Sequence, residues 1–368
     1  MVIWVKEFSD FRIESLSAWL KKSVKLKKFS GFEYIDETDF IVISNKDTKV
    51  DKDIHNDYNI VVFEEIVDEV SIQIMNYVNY NFDYYYIRKS FKLAETSNIE
   101  NIITGSSYGR LDVNEKDIPN AINLSLESQD MYYSLQGIKK VCDKSNKIRN
   151  IIICCGYYYF FSDMSKGKNF NNIKNISNVY MTLFGNEAYH NCLTVIEQNN
   201  ILDNPIFDVN KIVDTYSDYE YDRGYYNKDD RLRIKKAVYG VNWLKTSDSD
   251  RDNWGRKRAE LHNKNINRRK TYKENLNYFK ELAALCKSNN INLMFVVTPA
   301  TESYRKYLEP EFKKVFYDTL NIINSEIHLL DLFDNDIFVT EDFIDTDHLS
   351  DSGADKMTML INEALETM

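Results

Sequence analysis

The sequence predicts an α/β fold, in which a small α/β domain precedes a three-layer domain built on a parallel sheet. Short, fully apolar runs alternate along the chain with segments whose apolar residues recur at helical spacing. Two of these runs, 99–104 and 151–155, stop at a glycine. The chain has 368 residues, which is enough for two domains. Because parallel strands are joined by crossover helices, the alternation favours parallel βαβ units.

The composition is that of a globular protein with a negative surface. The chain is 43% hydrophobic and 28% charged, and its 47 basic and 57 acidic residues give a net charge of −10. Such a surface repels phosphate backbones, so we expect no nucleic-acid partner. No stretch reaches the roughly 18 apolar residues of a membrane span, and the start of the chain lacks the pattern of a secretory signal.

Cysteine usage indicates a reducing compartment. The five cysteines are odd in number and show no CxxC spacing, which argues against a disulfide framework or a zinc site. Cys154 and Cys155 are neighbours in an apolar run and are expected to be small buried hydrophobic residues. We therefore predict a cytoplasmic protein.

Residues 1–92 are predicted to form a small, degenerate Rossmann-like domain. Apolar runs at 2–5, 40–43 and 59–63 indicate strands. One helix is indicated by Phe11, Leu16, Trp19 and Leu20. The first strand is followed by acidic residues and by no GxGxxG pattern. A structural or protein-binding role is therefore favoured over nucleotide binding.

The second domain, 93–368, carries the clearer strand and helix pattern. Strands are predicted at 99–104, 122–124, 151–155, 293–297 and 327–330, and amphipathic helices at 132–142, 272–286 and 354–368. Ser128 is predicted to cap the first of these helices. Ligands of such sheets bind beyond the carboxyl ends of the strands, where Gly105, Gly156 and Thr298 lie.

A long segment, about 157–265, interrupts this pattern. It is rich in tyrosine, aspartate and asparagine, with five tyrosines between 216 and 226. Insertions of this length in a regular domain are functional or disordered, and the many aromatic residues argue against disorder. We predict a lid or an acceptor-binding subdomain.

Two short motifs carry the candidate chemistry. Gly105-Ser106-Ser107-Tyr108-Gly109 directly follows a buried strand, where a serine hydroxyl can be presented above the sheet edge beside backbone N–H groups. Asp345-Thr346-Asp347-His348-Leu349 precedes the last helix, and an aspartate three residues before a histidine can orient the imidazole and leave Nε2 as a base. Each motif alone is unspecific, because the first also occurs in ordinary turns and the second in solvated acidic loops. Their combination is far more specific.

Together the motifs resemble the SGNH (GDSL-like) hydrolase superfamily, which has a GDS block near the start of the domain and a DxxH block near its end. The resemblance covers roughly residues 98–368 and implies a flavodoxin-like, five-stranded parallel sheet between helices. It also implies that Ser107 is the nucleophile, that His348 is the general base and then acid, and that Asp345 orients the imidazole. Residues 256–273 and 298–301 resemble the SGNH-like proteins of bacterial surface-polysaccharide gene clusters.

The chain departs from the family pattern in its middle blocks. Ser106 replaces the GDS aspartate, the second-block glycine is not evident, and Gly156-Tyr157-Tyr158-Tyr159 stands where the family has an asparagine of the oxyanion hole. Losing one such donor costs about 10²–10³ in rate. The residues predicted to substitute for it or to contact substrate are Asn123, Ser128, Gly156, Tyr158 and Arg110. Arg258, His262 and Lys264 are further substrate contacts, with a solvated basic helix start as the favoured alternative. His55, His190 and His328 are expected to be structural.

The predicted function is an O-acyl esterase or O-acyltransferase acting on a carbohydrate or a surface-polysaccharide precursor. An acyl-enzyme would form on Ser107 and be resolved by water or a sugar hydroxyl. No metal or nicotinamide is implied, and acetyl-CoA is a conceivable acyl donor. A non-catalytic glycan-binding or scaffolding protein on a degenerate frame is the alternative. An α/β-hydrolase also fits G-x-S-x-G, but its acid and histidine come from separate loops.

Overall fold

The computed structural model describes residues 2–5, 25–28, 34–35, 39–43, 59–62, 82–167, 169, 173, 176, 179–180, 183–184, 190, 243–323 and 327–368. The chain divides into two compact units, and the described residues of the smaller one end at Tyr85. The larger unit contains both motifs.

The smaller unit contains a parallel four-stranded sheet. Its strands are β1 (Val2–Val5), β2 (Lys25–Lys28), β3 (Phe40–Ile43) and β4 (Asn59–Val62), in the order β2-β1-β3-β4. Strand β2 was not predicted, because in Lys25-Leu26-Lys27-Lys28 only Leu26 is apolar. Lysines suit an edge strand, where they discourage pairing with another chain. The helix predicted from Phe11 to Leu20 lies outside the described residues, and so does His55.

The larger unit is built on a five-stranded parallel sheet, as predicted. Its strands are β5 (Asn101–Gly105), β6 (Ala121–Asn123), β7 (Asn150–Cys155), β8 (Asn292–Val297) and β9 (Ile327–Asp331), in the order β6-β5-β7-β8-β9. The inner strands β5, β7 and β8 are buried along almost their whole length. A strand covered on both faces needs apolar side chains at successive positions, which explains the continuous apolar runs.

Helices surround this sheet. They are α1 (Phe82–Thr96), α2 (Ser107–Leu111), α3 (Met131–Cys142), α4 (Asp248–Asn263), α5 (Arg269–Asn289), α6 (Glu302–Arg305), α7 (Pro310–Ile322) and α8 (Asp351–Glu366). Asp130 caps α3, since its side chain accepts from the N–H of Tyr133 at 3.1 Å. The prediction that Ser128 is the cap is therefore wrong.

Strand β8 shows that the sheet is covered on both faces. The ring of Phe295 lies 5.4 Å from that of Phe279 on α5 and 5.9 Å from that of Phe316 on α7. Its neighbours Met294 and Val296 pack instead in one buried cluster with residues of α8. Because successive side chains of a strand point to opposite faces, α8 lies on one side of the sheet and α5 and α7 on the other.

Gly105 is required at the end of β5. Its φ is 134°, and a Cβ there would lie 2.1 Å from the carbonyl oxygen of Cys154 on β7. No other residue can pass so close to β7 and still turn into α2. The motif serine therefore emerges at the carboxyl end of the sheet.

Two of the described cysteines, Cys154 and Cys155, have the burial predicted from their apolar run. Cys142, Cys154, Cys155 and Cys286 carry free thiols, while Cys192 lies outside the described residues. Cys154 and Cys155 are both fully buried in β7. Within the described part of the chain, no helix is both long and apolar enough to cross a bilayer.

Candidate active site

Ser107 is the first residue of α2, immediately beyond β5. Its Oγ lies 3.0 Å from Nε2 of His348, although 241 positions separate the two residues in sequence. This is hydrogen-bond distance, and it is the contact that a serine nucleophile needs with its general base. The two motifs therefore meet at one point.

The loop that precedes α8 fixes the His348 ring. Nδ1 of His348 lies 2.9 Å from Oδ2 of Asp345. Oδ1 of Asp345 also accepts the backbone N–H groups of Asp347 at 2.9 Å and His348 at 2.8 Å. Asp345 thus holds both the ring and the turn that carries it, and Nε2 is left to face the serine.

The same loop is anchored to the rest of the site from two directions. The N–H of Leu349 donates to Oδ1 of Asp112, the residue that follows α2, at 2.8 Å. Ser350 caps α8, because its side chain accepts from the N–H of Gly353. The first contact ties the histidine loop to the helix that begins with Ser107, and the second ties it to α8.

The environment of His348 favours the imidazolium. Its side chain is 1% exposed, and burial alone would disfavour the charged form. The negative charges of Asp345 and then Asp347 outweigh burial and raise the pKa of His348 to about 9. The neutral ring that can act as a base therefore accumulates only above neutral pH.

Behind the loop lies a second buried carboxylate, whose role the sequence did not reveal. Both oxygens of Asp347 accept from Nε of Arg258 at 3.0 Å, and Oδ2 also accepts from the hydroxyl of Tyr108 at 2.7 Å. Burial opposes ionisation of Asp347, but the positive charges of Arg258 and then His348 outweigh it and hold its pKa well below the usual range. Asp347 is thus a buried anion that links α2, α4 and the histidine loop.

Tyr108 is the second side chain that donates to the Asp347 carboxylate. Burial, and then the charge of Asp347, raise the pKa of Tyr108, so its hydroxyl stays protonated and donates to the carboxylate. The hydroxyl also lies 2.9 Å from that of Tyr158. Two features of the sequence signalled this network: Asp347 is a second aspartate in the Asp345–Leu349 motif, and Tyr108 directly follows the motif serine.

Helix α4 reaches the site because it packs unusually close to α6. A Cβ at Gly255 would lie 2.1 Å from the carbonyl oxygen of Ser303. Two turns further along α4, Nδ1 of His262 lies 2.6 Å from the hydroxyl of Tyr304, and its ring lies 4.0 Å from that of Tyr158. Burial, and then Arg258, lower the pKa of His262, which is therefore neutral.

A cavity of about 370 Å³ opens at Ser107. This volume is within the usual range for small-molecule sites. Its described lining consists of Ser106, Ser107, Tyr108, Ser128, Gln129, Gly156, Tyr158, Tyr159, Ser162, Met164, Asn169, Arg258, Leu261, His262, Lys264, Asn265 and Arg268. The predicted contacts Ser128, Gly156, Tyr158, Arg258, His262 and Lys264 are all among them. The alternative for 256–273, a solvated basic face, fits Lys264 and Arg268, which are exposed, but not His262, which is buried.

Two predicted contacts, Asn123 and Arg110, are not part of that lining. Asn123 is 1% exposed; its amide donates to the carbonyl of Gly109 at 2.7 Å, and its Oδ1 accepts from the N–H of Ser125 at 2.9 Å. This amide links α2 to the chain just after β6 and does not complete an oxyanion hole. Arg110 is 5% exposed on the buried side of α2, so it does not offer an anion site in the cavity.

Ser128 occupies an unusual backbone conformation on the cavity wall. Its φ is 62°, in the left-handed region that L residues seldom adopt. Such conformations persist where the surroundings enforce them, and they concentrate at functional sites.

Two groups of described side chains have the composition and spacing of cation ligands: Asp345, Asp347 and His348, and Asp130, Asp163 and His190. The first group belongs to the site above. In the second, Nε2 of His190 lies 3.0 Å from Oδ2 of Asp163, and Ser165 donates to Asp130 at 2.5 Å. His190 is buried there against Tyr132, which agrees with its predicted structural role. His328 lies in β9.

No protein-family model matches the chain, and no curated protein sequence matches it. Among solved structures, a Streptococcus pneumonia protein described as a platelet activating factor is similar, with 9% identity and a TM-score of 0.38, covering 81% of this chain and 99% of that one. A GDSL-like lipase from Bacteroides thetaiotaomicron has 12% identity and a TM-score of 0.35, covering 78% of this chain and 98% of that one.

Proposed function

We propose that the protein is a serine-dependent O-acyl esterase or O-acyltransferase acting on a carbohydrate or a surface-polysaccharide precursor. One observation carries the proposal: a continuous hydrogen-bonded chain from Ser107 through His348 to Asp345 opens on a cavity. Nucleophile, base and orienting carboxylate in that order are the requirement for acyl transfer through a covalent intermediate.

The proposed reaction has two steps. Oγ of Ser107 bonds to the acyl carbon while Nε2 of His348 takes the serine proton, and the bond from the acyl carbon to the leaving oxygen then breaks as His348 returns the proton to that oxygen. In the second step, water or a sugar hydroxyl gives its proton to His348 and attacks the acyl carbon. The bond from that carbon to Oγ then breaks, and His348 returns the proton to Oγ of Ser107. Asp345 holds the ring and stabilises the imidazolium between these transfers.

The tetrahedral intermediate needs donors for its oxyanion. The backbone N–H of Ser107 belongs to the first turn of α2, where N–H groups have no intrahelical acceptor. Ser128 lies on the same cavity wall with its backbone turned into the left-handed region. We assign these two N–H groups as the oxyanion donors, in place of the missing asparagine side chain.

The carbohydrate assignment is supported by the cavity lining. The lining combines aromatic rings, such as Tyr158 and Tyr159, with hydroxyl and amide groups, such as Ser162 and Asn265. Faces of sugars suit aromatic rings, and their hydroxyls suit convergent polar groups. The described ends of the 157–265 insertion supply several of these residues, which supports an acceptor-binding role. An acyltransferase version with acetyl-CoA as donor would use the same serine.

The test is ester turnover with matched variants. Release of acetate from acetylated monosaccharides and from p-nitrophenyl acetate is measured for wild type, Ser107→Ala and Ser106→Ala. Ser106 supplies the neighbouring hydroxyl on the same cavity wall. We expect Ser107→Ala to lose at least about a thousandfold in kcat/KM, and Ser106→Ala to lose less than about tenfold. Equal activity of wild type and Ser107→Ala would refute the proposal.

A second candidate, glycan binding without catalysis, is favoured by the missing asparagine at Gly156-Tyr157-Tyr158. It predicts binding of sugars at this cavity with no turnover of any ester and no reactive serine. The same assays separate the two candidates, because only the first requires that Ser107 form a covalent adduct.

A further inference from the structure

The cavity beside Ser107 has a charge opposite to that of the whole protein. Arg258, Lys264 and Arg268 line it, and none of its described lining residues is acidic. The chain as a whole carries a net charge of −10. A cleft lined by charges of one sign concentrates ligands of the other sign, so this wall attracts anions that the rest of the surface repels.

Arg258 has donors left for a ligand. Only its Nε contacts Asp347, and in the described part of the chain neither Nη1 nor Nη2 takes part in a hydrogen bond or an ion pair. Its side chain is 32% exposed, on the cavity wall. A guanidinium held by one edge presents its remaining N–H groups in a planar fork that fits a carboxylate or a phosphate.

Lys264 and Arg268 extend the positive wall to the rim. Lys264 ends α4 and Arg268 precedes α5, and neither forms an ion pair with any acidic residue that the structure describes. Arginines just outside the cavity behave differently, since Arg256 pairs with Glu260 and Arg269 with Glu311. A favourable place at a helix C-terminus would explain Lys264 alone. It does not explain why Arg268 also lacks an ion pair with the described acidic residues, or why Arg258, which pairs with Asp347 through Nε, presents its other N–H groups at the same cavity.

We propose that the substrate of this site carries an anionic group, a carboxylate or a phosphate, which Arg258, Lys264 and Arg268 bind while the ester faces Ser107. The inference rests on the proposed function and narrows its substrate to acylated anionic sugars. The neutral ring of His262, which also lines the cavity, adds no charge of its own.

The first experiment compares matched esters on the full-length protein. Acetylated methyl glucoside, methyl glucuronoside and glucose 6-phosphate present the same sugar ring with a neutral group, a carboxylate or a phosphate. We expect kcat/KM to be at least about tenfold higher for one or both anionic esters, and this preference to shrink as salt rises from about 0.01 to 0.15 M. Comparison of the glucuronoside ester with the glucose 6-phosphate ester shows whether the site prefers a carboxylate or a phosphate.

Variants then test whether Lys264 and Arg268 cause the preference for anionic esters. The double variant Lys264→Met/Arg268→Met should lower the ratio of anionic to neutral kcat/KM by about fivefold or more. Lys257→Met is the matched control: it removes an exposed lysine of α4 that does not line the cavity, and the ratio should stay as in wild type. A ratio that falls equally in both variants would point to general surface charge and overturn the proposal.

Binding to Ser107→Ala separates failure of this inference from failure of the proposed function. Calorimetry with glucuronate, glucose 6-phosphate and glucose should show binding of one or both anions that the double variant weakens. Selective anion binding without any Ser107-dependent turnover would support the anion site and refute the esterase. Ser107-dependent turnover that ignores substrate charge, with no anion-selective binding, would refute the anion site and leave the esterase standing. Absence of both turnover and anion-selective binding would refute both.

Discussion

The charge of Asp347 can be removed without changing the size of its side chain, by replacing it with asparagine. The wild-type carboxylate is 2% exposed, lies 3.8 Å from Nδ1 of His348, and accepts from Arg258 and Tyr108. Asp347→Asn therefore tests whether this buried anion sets the protonation of the base. It leaves the contact between Asp345 and the imidazole in place.

The structure gives the size of the effect. Two unit charges about 4 Å apart interact by about 4 kcal/mol at an effective dielectric constant of 20. Without its partner, the partly exposed Arg258 should turn toward the solvent of the cavity, which takes a positive charge away from His348 and offsets most of this loss. We expect a net fall of about one unit in the pKa of His348, equivalent to about 1.4 kcal/mol. Asp347→Asn should also lower the free energy of unfolding by about 2–3 kcal/mol, because half-buried Arg258 loses its partner.

The assay is the second-order rate of fluorophosphonate labelling of Ser107 as a function of pH. A raised histidine pKa favours the protonated ring, so the base is present above the pKa and lost below it. In wild type the rate should rise with pH to a midpoint near the pKa of His348, about 9. In Asp347→Asn the midpoint should lie about one unit lower, so at neutral pH about ten times more of the enzyme holds the neutral ring.

Asp336→Asn is the control, because Asp336 is an exposed aspartate away from the cavity lining. Its midpoint should match that of wild type. A folded Asp347→Asn protein whose midpoint is unchanged, or shifted upward, would refute the reasoning, since the buried anion would then not act on His348.

Three further substitutions test single contacts. Tyr108→Phe removes a 2.7 Å hydrogen bond to the buried carboxylate and should lower the free energy of unfolding by about 1.5–3 kcal/mol, measured by urea unfolding with an unchanged m-value. Gly255→Ala places a Cβ against the carbonyl of Ser303 and should lower both the melting temperature and the labelling rate. Ala259→Gly, in the same helix, does not push α4 away from α6, so its labelling rate should stay near that of wild type. Asn123→Ala breaks two buried hydrogen bonds at the turn near Gly109 and should lower the melting temperature by roughly 5–10 °C; a rate loss of about a hundredfold without this destabilisation would restore Asn123 as an oxyanion donor.

The strands of the larger sheet could be predicted because each is covered on both faces. Runs such as 151–155 must be apolar at every position, and no helix-forming pattern imitates them over so few residues. Strand β2 could not be predicted, because it is an edge strand whose lysines carry no burial signal. Residues 168–242 are mostly outside the described part, so the lid or acceptor-binding role of the insertion stays a prediction.

At the site, sequence reasoning found the residues that lie in a short motif and named Arg258 as a candidate contact, but it missed the pairing of Arg258 with Asp347. Asp345 and His348 are three residues apart, and Ser107 follows a recognisable turn, so local patterns were sufficient to predict them. Asp347 belongs to the same loop, but its partner Arg258 is 89 positions away and reaches it only because Gly255 lets α4 approach α6. Asn123 was predicted wrongly because sequence cannot show that its amide is already hydrogen-bonded.

The central claim is that His348 activates Ser107 as a nucleophile. The most direct measurement is fluorophosphonate labelling of the folded protein, located by peptide mass spectrometry in wild type, Ser107→Ala and His348→Ala. We predict an adduct on Ser107 in wild type and none at that site in either variant. A folded wild-type protein that forms no adduct, or an adduct on Ser107 that persists in His348→Ala at the wild-type rate, would contradict the claim.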